Sequence, residues 1–251
     1  LFPFRINWAD DNSLIYTADG HIRKRIIGQT AIETIPFEAT FTLNRKPYEK
    51  KKYDFDNTEE HKALGIASPV VSDDGKKIAF AAKGDIFIQE IDGKLIQLTN
   101  DSYVDLEPDW SPDGNTLAYI SDRGGFMNVW LHDLKSNQSR LLTKQITEDT
   151  SYPVWSPDGK KIAYYTQNYM KKWGYGILHI ADVATGEIKV ANKTVWVPSK
   201  PSWSPDGKTV AMMALKAHST RFREGFNNFM LVSLEKDTAI LVSPDSDKPL
   251  G

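Results

Sequence analysis

One motif recurs along this chain and narrows what it can fold into. Pro153–Tyr164 reads PVWSPDGKKIAY, Pro108–Tyr119 reads PDWSPDGNTLAY, and Pro201–Met212 reads PSWSPDGKTVAM. Pro69–Phe80 (PVVSDDGKKIAF) is a weaker copy, and Ile6–Tyr16 (INWADDNSLIY) a degenerate one. The central residues Asn12, Gly75, Gly114, Gly159 and Gly207 stand 63, 39, 45 and 48 residues apart. A period of about 40–45 residues with several strands in each unit is the signature of a β-propeller. Helical repeats have similar periods, but the interior of each unit is β-branched and aromatic and is broken by Pro and Gly every ~8–12 residues.

Each unit reads as four strands. The first ends at the Trp. Ser-Pro-Asp-Gly then makes a tight turn: Pro presets its own φ, Asp bonds forward to the backbone, and Gly takes the positive φ. The second strand follows, apolar on both faces, as expected of a blade packed between two others. The Ala at 79, 118, 163 and 211 faces a large ring at a fixed offset, a large-small alternation suited to stacked sheets. Third strands are expected at 20–27, 85–91, 128–134 and 176–182, and fourth strands at 31–37, 95–99 and 140–143. The alternating Arg and Lys at 23–25 place that third strand in a half-solvated position. The units take residues 1–36, 66–104, 105–149, 150–197 and 198–243, within one propeller domain. An insertion at 38–65 separates units one and two, with a candidate extra strand at 39–44. Its basic run, Arg45–Tyr53, is balanced by the acidic Asp54–Glu60, which reads as a solvated excursion.

The 251 residues suffice for a sizeable core. A net charge of −2 gives no general field for nucleic acid or an anionic membrane, and no apolar run nears the ~20 residues that span a bilayer. With no cysteine, disulfides and thiol chemistry are excluded. The chain begins at Leu1 without a signal-peptide pattern, which suits either a processed exported protein or a piece of a longer one. The five histidines, 21, 61, 132, 179 and 218, form no His-x-His or His-x-x-x-His pair, and no Gly-x-Ser-x-Gly occurs. No catalytic residue, metal site or cofactor is therefore assigned. His132 and His179 fall in third strands and read as strand histidines.

Two groups of polar residues remain as binding candidates. Asp101, Asp105 and Glu107 lead into unit three, and Glu148 and Asp149 into unit four. First strands line a propeller's channel, so these acids open on one mouth, as a seat for a cation or basic partner or as ordinary polar loops. The insertion Lys216–Phe226 carries His218, Arg221, Arg223 and Glu224 on a rim of unit five.

The string Pro-x-Trp-Ser-Pro-Asp-Gly-Lys-x-Ile-Ala-Tyr, with Ser121–Gly125, Asn128–Leu134 and Arg140–Thr143, resembles the TolB-type β-propeller repeat. More finely, Ile35–Phe37, Arg45–Asp56, Gly65–Pro69 and Arg221–Gly225 are similar to the TolB-like region preceding a metal-dependent amidohydrolase domain in large bacterial secreted proteins. The resemblance implies a non-catalytic propeller, periplasmic or secreted, that serves as an interaction or substrate-access module. Its partner would be another protein or an adjacent catalytic domain. It also implies that five units can be part of a larger ring. Two alternatives stand beside it: a stand-alone TolB-type protein-binding module of the cell envelope, and the gating propeller of a serine peptidase.

Overall fold

The structure, a computed structural model, describes residues 6–18, 20–40, 42, 44, 56, 58, 65–167, 175–196, 198–215 and 227–242. Unit one comprises β1 (Asn7–Asp10), β2 (Ser13–Ala18), β3 (His21–Ile26) and β4 (Ile32–Ile35). Unit two has β5 (Ala67–Val71), β6 (Lys77–Ala82), β7 (Asp85–Glu90) and β8 (Leu95–Gln97). Unit three has β9 (Asp105–Trp110), β10 (Thr116–Ser121), β11 (Asn128–Asp133) and β12 (Gln138–Leu141). Unit four has β13 (Asp149–Trp155), β14 (Lys161–Gln167), β15 (Tyr175–Asp182) and β16 (Ile188–Trp196). Unit five has β17 (Ser202–Trp203), β18 (Thr209–Leu215), β19 (Asn227–Ser233) and β20 (Thr238–Val242). Each unit is one antiparallel sheet in sequence order, and the five are arranged as a propeller; among the described residues there is no helix. Ala39, Thr40, Thr42 and Asn44 join no strand, and most of the 38–65 insertion lies outside the described residues.

The repeat turn is closed by the same bonds in four units. The Ser hydroxyl donates to the Asp carboxylate at 2.6–2.7 Å in Ser72–Asp74, Ser111–Asp113, Ser156–Asp158 and Ser204–Asp206. That carboxylate accepts the backbone N–H two residues on, at 3.0–3.1 Å. The Gly between them takes φ of +67° to +70°, a left-handed value at which a side chain is strained. These bonds hold the Asp carboxyls below their usual range, with Asp113 at about 2 through Asn115 and Ser111. In unit one Asp10 keeps this role, lowered to about 2 by Ser13, the Asn12 N–H and Lys24.

Sheets stack through four apolar clusters. Ala79, Ala81, Ile86 and Ile88 of unit two meet Trp110, Leu117 and Tyr119 of unit three. Ala118, Val129 and Leu131 meet Trp155, Ile162 and Tyr164 across the next interface. Ala163, Tyr165 and Leu178 meet Trp203, Val210 and Met212. The fourth cluster joins unit five to unit one: Ala211, Met213, Phe229 and Leu231 pack on Leu14 and Tyr16. The repeat Ala is fully buried in each of its four copies, as the large-small alternation requires.

Unit one thus follows unit five in space, and the arc runs two, three, four, five, one. Three of the four repeat tryptophans follow that order, while the Trp155 indole N–H finds no partner. The indole of Trp110 donates to the Val70 carbonyl (3.2 Å), Trp203 to Val154 (3.1 Å), and Trp8 to Ser202 (3.3 Å). Among the described residues no cluster joins unit one to unit two. On unit two Val71 is 54% exposed, and Ile78 and Phe80 are half-buried where Leu117 and Tyr119 are fully buried. On unit one β3 is half-exposed, which fits its Arg and Lys residues.

Candidate functional site

First strands run side by side at the axis, and three carry the same irregularity. Ser68, Glu107 and Tyr152, each before a Pro, have φ of +49° to +54°, where the register of β5, β9 and β13 shifts by a bulge. A non-Gly residue in this region is uncommon, and one before Pro more so. Its recurrence in one repeat column makes the bulge part of the axial construction.

The bulge brings β9 against its neighbours. Glu107 accepts the Tyr152 N–H. Burial pushes the Glu107 carboxyl up, and the Tyr152 N–H and the Lys200 charge oppose that rise. Asp109, 6% exposed, accepts the Trp155 N–H at 2.9 Å on one oxygen and the Lys200 ammonium at 2.8 Å on the other. Units three, four and five are thereby joined at one carboxylate. The ion pair is largely withdrawn from water, so removing either partner would leave a buried charge without its counterion.

The approach-side acids separate into different tasks. Arg123 forms an ion pair with fully buried Asp105 at 3.0 Å and with exposed Asp101 at 3.3 Å. Its guanidinium lies 4.8 Å from the Trp130 ring centroid and 5.7 Å from that of Tyr119. Asp149 accepts the Met127 N–H at 2.9 Å, and Glu148 acts on His179 as a nearby charge. Asp101 and Asp105 are therefore brought together, by Arg123, while Glu107 and Asp149 bond elsewhere. No group of three or more acids and histidines suited to a metal ion is found among the described residues. His218, Arg221, Arg223 and Glu224 lie outside the described residues. His132 Nδ1 is 2.9 Å from Ser139 Oγ, and His179 Nε2 is 3.0 Å from Thr166 Oγ1; burial lowers both pKa values.

Beside Asp109, on the side of the repeat turns, lies a cavity of about 550 Å³. Trp110, Trp155 and Trp203 wall it together with Pro112, Pro157 and Pro69. Its acids are Asp109 and Asp73, and Val71 forms another part of the wall. Sequence reasoning passed over Asp109, Lys200, Val71 and Asp73. The signal was present in the repeat columns: Val71 stands in the Trp column, Asp73 in the Pro column, and Asp109 in a column otherwise filled by Asn7, Val70, Val154 and Ser202.

The family model for the TolB beta propeller domain matches residues 35–221, well over half of the chain. The Tol-Pal system protein TolB of Desulfosudis oleivorans is 36% identical over 74 residues, covering 28% of this chain and 17% of that protein. The crystal structure of TolB from Acinetobacter baumannii superposes with a TM-score of 0.60 at 22% identity, over 96% of this chain and 54% of that one. A puromycin-hydrolyzing peptidase of Mycobacterium tuberculosis gives a TM-score of 0.57 at 15% identity, over 76% of this chain and 30% of that one. The two structural likenesses speak to fold, and the chain spans about half the length of the Acinetobacter protein. On the family match, with the motif, turns and blades described above, this chain belongs to the TolB β-propeller domain family.

Proposed function

We propose that this chain is a non-catalytic interaction module: a single propeller domain that docks a partner protein or an adjacent domain of its own polypeptide. The observation that carries this reading is the axial lattice. Asp109 binds units four and five at once, and Glu107 binds unit four, so the inner strands form a bonded scaffold. Such a scaffold presents a rigid surface; a substrate passage would need those groups to part. The peptidase propellers among its structural neighbours share the fold, and the axial lattice favours docking over gating in this chain.

In its finer form the reading places the module in an exported, periplasmic or secreted protein, next to a metal-dependent amidohydrolase domain. The binding residues on the approach side would be Asp101, Asp105, Glu107, Glu148 and Asp149, with His218, Arg221, Arg223 and Glu224 on the rim of unit five. The reading frame flanking residues 1 and 251 tests the finer form. A neighbouring domain with a His-x-His motif supports it. A neighbouring α/β-hydrolase domain with Gly-x-Ser-x-Gly replaces it by the gating reading, and no catalytic neighbour replaces it by the stand-alone binding module. Hydrolytic turnover by residues 1–251 alone, lost on mutation within them, overturns the non-catalytic reading.

A further inference from the structure

Two well-formed columns of the repeat, Trp and Pro, are broken in unit two, two variable columns carry charges in units three and five, and three of these four residues line one cavity. In unit two the Trp column holds Val71 and the Pro column holds Asp73. In unit three the residue before the Trp is Asp109. In unit five Lys200 occupies the column of Ser68, Glu107 and Tyr152 and reaches Asp109. Val71, Asp73 and Asp109 all face the cavity of about 550 Å³ on the turn side. Replacing an indole by an isopropyl group leaves space at the wall, which the remaining three tryptophans bound on the other sides. The volume lies in the range of sites that take a small molecule or a side chain with its flanking backbone.

The cavity's charge is of one sign. Among the described residues no Lys or Arg lines it. Asp109 is neutralised from behind by Lys200, whereas Asp73 is exposed and makes no ion pair among the described residues. The neighbouring turn acids are engaged: Asp74 holds Ser72 and the Lys76 N–H. Asp73 is thus a carboxylate at the rim of a pocket that combines proline and tryptophan walls with polar surface. A cation with an aliphatic stem meets both demands, its methylenes against Pro112, Pro157 and Trp155 and its charge at Asp73.

We infer that this turn-side axial pocket receives a lysine or arginine side chain from an extended segment of a partner polypeptide. The inference rests on the interaction-module reading and names the chemistry of one partner contact. It concerns the turn side of the axis, opposite the approach segments that hold Asp101, Asp105 and Asp149. The repeat itself supplies the means to erase the pocket: Val71→Trp refills the Trp column, and Asp73→Pro restores the Pro column.

The probes are two unstructured peptides, acetyl-(Gly-Lys)₄-amide and acetyl-(Gly-Glu)₄-amide, titrated into the full chain with the intrinsic tryptophan fluorescence as readout. The expected result is saturable change with the lysine peptide and none with the glutamate peptide. Asp73→Asn should weaken the lysine peptide at least fivefold, and raising salt should weaken it further. Val71→Trp should abolish binding. Asp73→Pro, a residue that three other units hold at this place, guards against a Val71→Trp variant that misfolds, and should abolish the charge-dependent part. Equal response to both peptides, an unchanged response in Asp73→Asn and Asp73→Pro, or no response at millimolar peptide would each overturn the pocket inference. These outcomes leave the interaction-module reading standing, because that reading is decided by the flanking reading frame and by turnover of the chain alone.

Discussion

Units two and three are neighbours built from the same motif, and they live under different constraints. Unit three has a sheet against each face, and Leu117, Ala118 and Tyr119 are fully buried. Unit two is covered on the face that meets unit three, where Ala79 and Ala81 are buried, while its other face carries half-buried Ile78 and Phe80 and exposed Val71. The same column can therefore be structural in one unit and available in the next. Position 105 shows this again: Asp105 is fully buried in an ion pair, whereas Ile66, its counterpart in unit two, is 62% exposed. A repeat protein's stability is shared among unit–unit interfaces, so departures from the motif are best tolerated on a face that, among the described residues, meets no other sheet. It is there that the turn-side pocket gains its space.

The sharpest way to break this comparison is to truncate one column in both units. Tyr119 is fully buried, donates to Ser139 Oγ at 3.2 Å and lies under the Arg123 guanidinium. Tyr119→Ala should lower unfolding free energy by about 3–5 kcal/mol, read from urea denaturation of the full chain. A loss below about 1 kcal/mol would show that the interface between units two and three is not formed as described.

The next largest effect is expected at Arg123. Removing its side chain leaves the Asp105 carboxylate buried without its cation. Breaking a buried pair costs about 3–5 kcal/mol, and Arg123 is partly exposed, so Arg123→Ala should cost about 2–3 kcal/mol. At Ile66, the exposed counterpart of Asp105 in unit two, Ile66→Ser should stay within about 0.5 kcal/mol. Equal losses at the two sites would remove the distinction between covered and uncovered units.

The turns should ignore the distinction, because their bonds are local. Ser111→Ala and Ser72→Ala should each cost about 1 kcal/mol, equal within a few tenths. The turn carboxyls also predict a pH response. Their pKa values are depressed on folding, so their stabilisation is present above the unfolded value of about 4 and is lost as pH falls through the folded values. Those are about 2 for Asp113 and Asp10. Denaturation midpoints should fall from pH 4 toward pH 2, and less steeply in an Asp113→Asn variant.

Much of this architecture was legible in the sequence because it is local. The glycine of each turn, the Trp before it and the Ala after it mark strands one and two, and Asn128–Leu134 or Gly176–Asp182 need only alternate to declare a third strand. What was not legible depends on distant pairs. Nothing near Trp8 announces that its indole reaches the Ser202 carbonyl, 194 residues away, so the seat of unit one beside unit five had to come from the structure. Asp109 and Lys200 are 91 residues apart, and each looks like a common surface residue in its own unit. Asp105 and Asp149 looked alike as acids leading into first strands, yet one meets a guanidinium and the other a backbone N–H. Column-by-column comparison of the units would have found Val71 and Asp73, which break the Trp and Pro columns, and would have marked Asp109 as the acid of its column.

The smallest expected effect tests the comparison most finely. Phe80 occupies the Tyr119 column and stacks on Phe87 with ring centroids 5.7 Å apart and planes 13° from parallel. The rings are half-buried, so part of their surface is already in contact with water in the folded chain. Exchanging Phe80 for Leu retains most of the volume and gives up the ring contact, so Phe80→Leu should cost about 0.5 kcal/mol. The same exchange in a covered column leaves a misfit between two sheets and costs more, up to about 1.5 kcal/mol. If Phe80→Leu matched the loss of Tyr119→Leu in the same denaturation assay, the outward face of unit two would be covered in solution. The unit would then count as sealed, and its departures at Val71 and Asp73 would need a reason other than the lack of a neighbour.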